Sequence, residues 1–104
     1  MSRRYVLRPK AHQDLDDQAY YLAMEASTDV GHRFLVAAHE TLALLATQPE
    51  MGWRFRLKRP ALAELRAFRV RGFERMLMLY LPRADGVDVL RVVHGSRNLQ
   101  ALFE

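Results

Sequence analysis

The chain has 104 residues, half of them hydrophobic and 27% charged, with no cysteine. That composition fits one small globular domain spanning 1–104, and it excludes a disulfide framework and a thiolate metal site. The net charge of +4 is uneven: residues 1–50 carry five basic and seven acidic groups, and residues 51–104 carry eleven and five.

In chain order, Tyr5-Val6-Leu7 reads as a short strand, and Pro9 suits the first turn of a helix. Ala11, Leu15, Ala19, Leu22 and Ala26 then recur at steps of three or four, which predicts a helix over 9–26. Asp14, Asp17, Tyr21 and Glu25 fall on its other side. Asp14, Asp16 and Asp17 are read there as carboxylates favoured near the positive end of the helix dipole. Ser27, Thr28 or Asp29 can cap a second helix. Its stripe of Val30, Phe34, Ala38, Leu42 and Leu45 runs over 29–47, and Pro49 and Gly52 end it. So short a link predicts an antiparallel helical hairpin.

Residues 49–64 keep neither period and read as a basic connection with one helical turn near 61–65. Arg66 to Val70 alternates as a strand, with Phe68 and Val70 on one face. Arg75 to Leu81 is apolar on both faces, as a central strand covered on both sides would be. Pro82 to Gly86 reads as a turn. Val87 to His94 is the last strand, with Val89, Arg91 and Val93 on one face and Leu90, Val92 and His94 on the other. Asn98 to Phe103 closes with a helical turn. The expected fold class is α+β: a strand, an antiparallel helical hairpin, then a three-strand antiparallel meander, forming one sheet packed on the helices.

The opening Met1 to Leu7 lacks the apolar core of a signal peptide, because Arg8, Pro9 and Lys10 follow at once. No apolar run approaches the roughly 20 residues of a membrane span. The reading is a cytoplasmic protein without membrane contact. His12, His32, His39 and His94 make no metal-ligand spacing, and the five glycines are too scattered to cradle a phosphate. No metal and no cofactor are expected.

His94 and Ser96 lie two apart at a strand end, but nothing around them resembles a nucleophile elbow. The structural reading of this stretch is a turn at Gly95, a cap from Ser96 or Asn98, and a local hydrogen bond for His94. RNA cleavage needs two proton-transfer groups besides cations. Arg69, Arg75, Arg91 and Arg97 supply cations and His94 supplies one proton-transfer group. Tyr80 lies in an apolar strand and reads as core, and no tyrosine, lysine or histidine follows His94.

Three stretches carry a likeness to a known family. They are "YVLRPKAHQDLDDQAYYLA" (5–23), "LLATQPEMG" (44–52) and "LRAFRVRGFERMLMLYLPRADGVDVLRVVHGSRNL" (65–99), the last ending in a His-Gly-x-Arg-Asn segment. The chain resembles the ParE toxins of the RelE/ParE superfamily, from bacterial type II toxin–antitoxin modules. The resemblance implies a toxin that inhibits DNA gyrase by protein–protein binding and is neutralised by a ParD-like antitoxin in a toxin–antitoxin hetero-oligomer. It implies no catalysis, because ParE proteins lack the basic and C-terminal aromatic or histidine groups of the RelE side. No direct sequence-specific binding of nucleic acid is expected. The alternative is a RelE-type ribosome-dependent mRNA endonuclease. His94, Gly95, Arg97 and Asn98 fall on the family's C-terminal motif, with Asn98 where Asp is frequent, and Arg91 falls on a basic position of its last strand. The target-binding candidates are Arg69, Arg75, Arg91, His94, Arg97 and Asn98.

Overall fold

The computed structural model describes residues 3–103. In chain order it contains β1 (Arg4–Leu7), α1 (Pro9–Glu25), α2 (Thr28–Thr47), β2 (Trp53–Arg54), a 3-10 turn (Pro60–Leu62), β3 (Arg66–Val70), β4 (Phe73–Arg83), β5 (Gly86–His94) and α3 (Leu99–Leu102). Extended backbone at Arg8 delivers Pro9 to the first position of α1, where its missing N–H removes no bond. The Ser27 hydroxyl caps α2 by accepting the Val30 N–H at 3.1 Å. Only Ala26 and Ser27 separate the helices, so they fold back antiparallel. The two approach closely at Gly31, where a Cβ would come within 2.6 Å of the Ala19 carbonyl oxygen.

The strands form one five-stranded sheet in the order β1-β5-β4-β3-β2. β1 runs parallel to β5, and the remaining pairs are antiparallel. The α+β class and the sheet packed on the helical hairpin are as the sequence implied. Three details differ. The two-residue β2 adds a strand inside the stretch read as connection. The helical turn there is 3-10 and sits at Pro60–Leu62. β4 runs through Pro82 to Arg83, which leaves Ala84 and Asp85 as the turn.

Both faces of the sheet are covered. On one, Phe34, Ala38, Leu42 and Leu45 of α2 and Ala11 and Leu15 of α1 pack against Val70, Met76, Met78, Tyr80, Val87, Val89 and Val92. On the other, Leu77, Leu79, Leu81, Leu90 and Val93 meet Leu62, Leu65, Leu99 and Phe103, with Phe55 and Leu57 packed alongside. This outer layer accounts for the two-sided apolarity of β4. Burying each large side chain contributes about 1.5–3 kcal/mol. Tyr80 ties the helix exit to the sheet: its hydroxyl accepts the Gly52 N–H at 2.9 Å and donates to the Pro49 carbonyl at 2.8 Å. Burial raises the Tyr80 pKa, against lowering by that bond and by Arg66.

The alternation expected along β5 is broken. Leu79 faces Arg91 but Tyr80 faces Val89, so Leu90 is an extra residue in a bulge. Val87, Val89 and Val92 therefore share the helix side, and Leu90 and Val93 share the outer side. A strict period of two cannot place a residue beyond a bulge.

The β1–β5 pair is fixed at both ends. Gly86 has φ +146°, and a Cβ there would lie 1.6 Å from the Arg4 carbonyl oxygen. At the other end Asp88 accepts from Arg8 at 2.8 Å and Arg83 at 2.9 Å. Burial pushes the Asp88 carboxyl up, but the hydrogen bonds and charges of Arg8 and Arg83 outweigh it and hold the group below the ordinary carboxylate range. Gly86→Ala is expected to destabilise the chain by about 2–4 kcal/mol in denaturant unfolding, through backbone strain and loss of β1 pairing. The depressed Asp88 pKa contributes stability above the unfolded carboxylate value of about 4, lost as pH falls through the folded value. Asp88→Asn is therefore expected to flatten the acid limb of the stability–pH profile. An unchanged slope in acid unfolding would remove Asp88 from that limb.

Candidate functional site

β1 covers β5 only as far as Leu7 opposite Val89. Beyond that point the edge of β5 has no strand neighbour among the described residues, and its N–H groups need other partners. Asp14 supplies one. Its Oδ2 accepts the Val92 N–H at 3.0 Å. The same carboxylate takes both arms of Arg91, Nε at 2.7 Å and a terminal nitrogen at 3.0 Å. Each side chain keeps only 14% of its surface exposed. The hydrogen bond that Arg91 donates to Asp14 raises the Arg91 pKa, against partial lowering by burial.

This corrects two readings of α1. Asp14 does not lie on the solvent side with Asp17, and it sits outside the first helical turn, which holds no acid. Dipole effects fade within that turn. Asp14 is placed instead by its partners on β5.

The six candidate residues divide into groups. Arg69 lies opposite Leu77 on β4, so it points to the outer face, and Arg75 follows two residues along on that same face. Arg69 stacks 5.3 Å from the centre of the Trp53 ring, and Trp53 pairs with Ala67 on the outer side. Arg97 sits in the turn between β5 and α3, which also packs on the outer side. Arg69, Arg75 and Arg97 are all exposed. Trp53 was not among the candidates. The signal was available, since it is the only tryptophan and stands at the head of a basic run.

The other three candidates make hydrogen bonds within the fold, although His94 and Asn98 are exposed too. Arg91 is taken by Asp14. His94 lies opposite Met76, whose side chain belongs to the helix-side core. Its Nδ1 meets the Ser96 hydroxyl at 2.7 Å and accepts the Ser96 N–H at 3.1 Å. Asn98 caps α3 by accepting the Ala101 N–H at 3.3 Å. Gly95 continues the ladder, donating its N–H to Arg75 at 2.8 Å. Among the described residues no group of three or more His, Asp or Glu is placed to hold a metal ion. No helix there is long and apolar enough to cross a membrane.

The family model for the ParE toxin of the type II toxin–antitoxin system, parDE, matches residues 5–99. The chain belongs to the ParE toxin family. Its fold is similar to a chain of the chromosomal ParDE toxin–antitoxin system from P. aeruginosa, with a TM-score of 0.71 at 13% identity, over 88% of this chain and 95% of that one. Comparison with curated proteins returns no match. The family assignment therefore rests on the sequence model, and the structural likeness shows the fold.

Removing the Asp14 carboxylate leaves a half-buried guanidinium and a strand-edge N–H without their acceptor. Asp14→Ala is expected to cost about 2–4 kcal/mol in denaturant unfolding, with Arg91→Ala less severe because it leaves the Val92 bond intact. If Arg91→Ala abolished toxicity with the unfolding midpoint unmoved, Arg91 would be a target contact rather than a strut.

Proposed function

We propose that this chain is the toxin of a type II toxin–antitoxin pair, that it inhibits DNA gyrase by protein–protein binding without catalysis, and that a ParD-like antitoxin neutralises it in a hetero-oligomer in the cytoplasm. The observation that carries the reading is the family match across residues 5–99. The arrangement of groups supports binding over RNA cleavage. The outer-face cluster of Trp53, Arg69, Arg75 and Arg97 brings cations together without a proton-transfer group of near-neutral pKa. His94 points to the opposite face and is held by Ser96.

The two partners would use different surfaces. Tyr20, Tyr21 and Met24 are exposed apolar residues on α1, 70%, 57% and 68% accessible. Tyr20 and Met24 lie four apart and share a helix face. Such a stripe suits the apolar side of a segment that folds on binding. The target-binding candidates are then Arg69, Arg75 and Arg97, exposed on the outer face; His94 and Asn98 are exposed as well, but their polar atoms are taken by Ser96 and by the N-terminus of α3. Arg91, His94 and Asn98 act by supporting their positions.

The test is supercoiling of relaxed plasmid by gyrase, titrated with the purified chain. Inhibition with accumulated cleaved DNA, relieved by the antitoxin, is expected. Arg75→Ala with Arg97→Ala should raise the inhibitory concentration at least about tenfold, equivalent to roughly 1.4 kcal/mol of binding. No inhibition by folded protein at high excess would overturn the gyrase reading and direct attention to translation assays for the RelE-type alternative.

A further inference from the structure

We propose that the outer layer of the sheet, formed by the 53–59 segment, the ends of β3 and β4 and the turn before α3, is a sequence-independent binding face for the phosphate backbone of DNA. This goes beyond gyrase inhibition by protein contact.

Charge is divided across the sheet. The helical hairpin, residues 9–47, has two basic and six acidic residues, a net of −4. Residues 53–75 have eight basic and two acidic, a net of +6. Burial alternates along the outer segment: Phe55 and Leu57 turn in toward the sheet, while Arg54, Arg56 and Lys58 turn out. Arg69 and Arg75 stand on the same side of the sheet.

Some cations of this face serve the fold, and four others pair with no carboxylate among the described residues. Arg54 reaches the Ala63 carbonyl and Glu64, and Arg59 reaches the Phe103 carbonyl at 2.7 Å. Among the described residues the side chains of Arg56, Lys58, Arg75 and Arg97 make no ion pair. All four are exposed. Among the described residues neither carboxylate of this stretch forms an ion pair with the four: Glu64 faces Arg54, and Glu74 accepts the Gly72 N–H at 2.8 Å.

An acidic polypeptide and a nucleic acid would both meet this charge. A segment that folds on binding also needs an apolar groove. The outer layer spends its apolar side chains inward, on Leu77, Leu79 and Val93. What it turns outward is cationic, mostly arginine, with one aromatic ring, Trp53, 42% exposed and stacked by Arg69. Guanidinium forks, one of them held in place on the Trp53 ring, are what a phosphodiester backbone can use. The exposed apolar side chains of the helical hairpin, Tyr20, Tyr21, Met24 and Val36, lie in the acidic layer.

The experiment is fluorescence anisotropy of a short labelled DNA duplex of arbitrary sequence, titrated with the purified chain across a salt series. Trp53 emission is a second readout, since it is the only tryptophan. Binding is expected to be independent of sequence, with log K falling against log salt at a slope of about −4, as four or five neutralised phosphates require. The combined variant Arg56→Ala, Lys58→Ala, Arg75→Ala, Arg97→Ala should lose more than about tenfold in affinity, and its slope should shrink by about 3. The four side chains it removes hold no ion pair among the described residues, and its unfolding midpoint checks that the fold persists. Arg33→Ala, on the helical layer, should leave binding unchanged. Absence of binding at low salt would overturn the proposal, as would a combined variant that binds like the parent. Polyglutamate bound as tightly as the duplex, with the same slope, would assign the face to acidic polypeptides instead. No gyrase is present in this measurement. Its failure therefore leaves the gyrase reading untouched, and DNA binding without gyrase inhibition would remove that reading alone.

Discussion

The hairpin of helices could lie on the sheet in several ways, and the contact that restricts α1 most is Asp14 against β5. Apolar packing is tolerant of sliding and rotation, because it has little directionality. A carboxylate that must receive two guanidinium nitrogens and a backbone N–H together has little such freedom. It joins residues more than 75 positions apart in the chain. With α1 held there, the Ala11 and Leu15 stripe faces the sheet. The short link at Ala26 and Ser27 then leaves α2 one side to occupy. The same carboxylate removes a hazard, because a strand edge with a free N–H is a template for unwanted pairing.

Arginine in this chain performs two kinds of work, and separating them clarifies the surface. Arg8, Arg83 and Arg91 close ion pairs that lock β1 and α1 to β5. Arg54, Arg59 and Arg66 donate to backbone carbonyls in stretches where no ladder supplies a donor. The irregular 55–62 segment holds its place by these bonds, by Phe55 N–H to Leu65, and by apolar anchors. High arginine content there is therefore partly structural, which composition alone could not reveal.

Most of the architecture was legible because it follows from period and punctuation. Helical spacing with Pro9 and Ser27 placed both helices, and the two-sided apolarity of residues 75–81 announced a second covering layer. What that layer was made of stayed hidden. Phe55 and Leu57 are two apolar residues in a basic stretch, too few for a periodic signal, and β2 is too short to announce itself. The bulge at Leu90 also leaves no local mark, since its cause is the pairing with β4. The site divided along the same line. Arg69, Arg75 and Arg97 read as cations and are placed as exposed cations. Arg91 read the same way, yet its role depends on Asp14, far away in sequence. Asp14 itself was assigned to the helix dipole because position in a helix is visible in sequence and a distant partner is not.

The exposed tryptophan bears on how the two layers came to differ. A buried Trp53 would have been an ordinary anchor for the outer segment beside Phe55. Pairing with Ala67 at the sheet's edge instead leaves part of its ring at the surface, with Arg69 against it. An arginine stacked on an indole keeps its hydrogen-bonding edge free while its plane is fixed, so less freedom is lost when that edge meets an anion. The helical layer follows the opposite pattern, with flexible apolar side chains at the surface and acidic groups around them. A chain with these two faces has its charge and its exposed apolar area on opposite sides of one sheet, so two partners of different chemistry can be held without competing for the same residues.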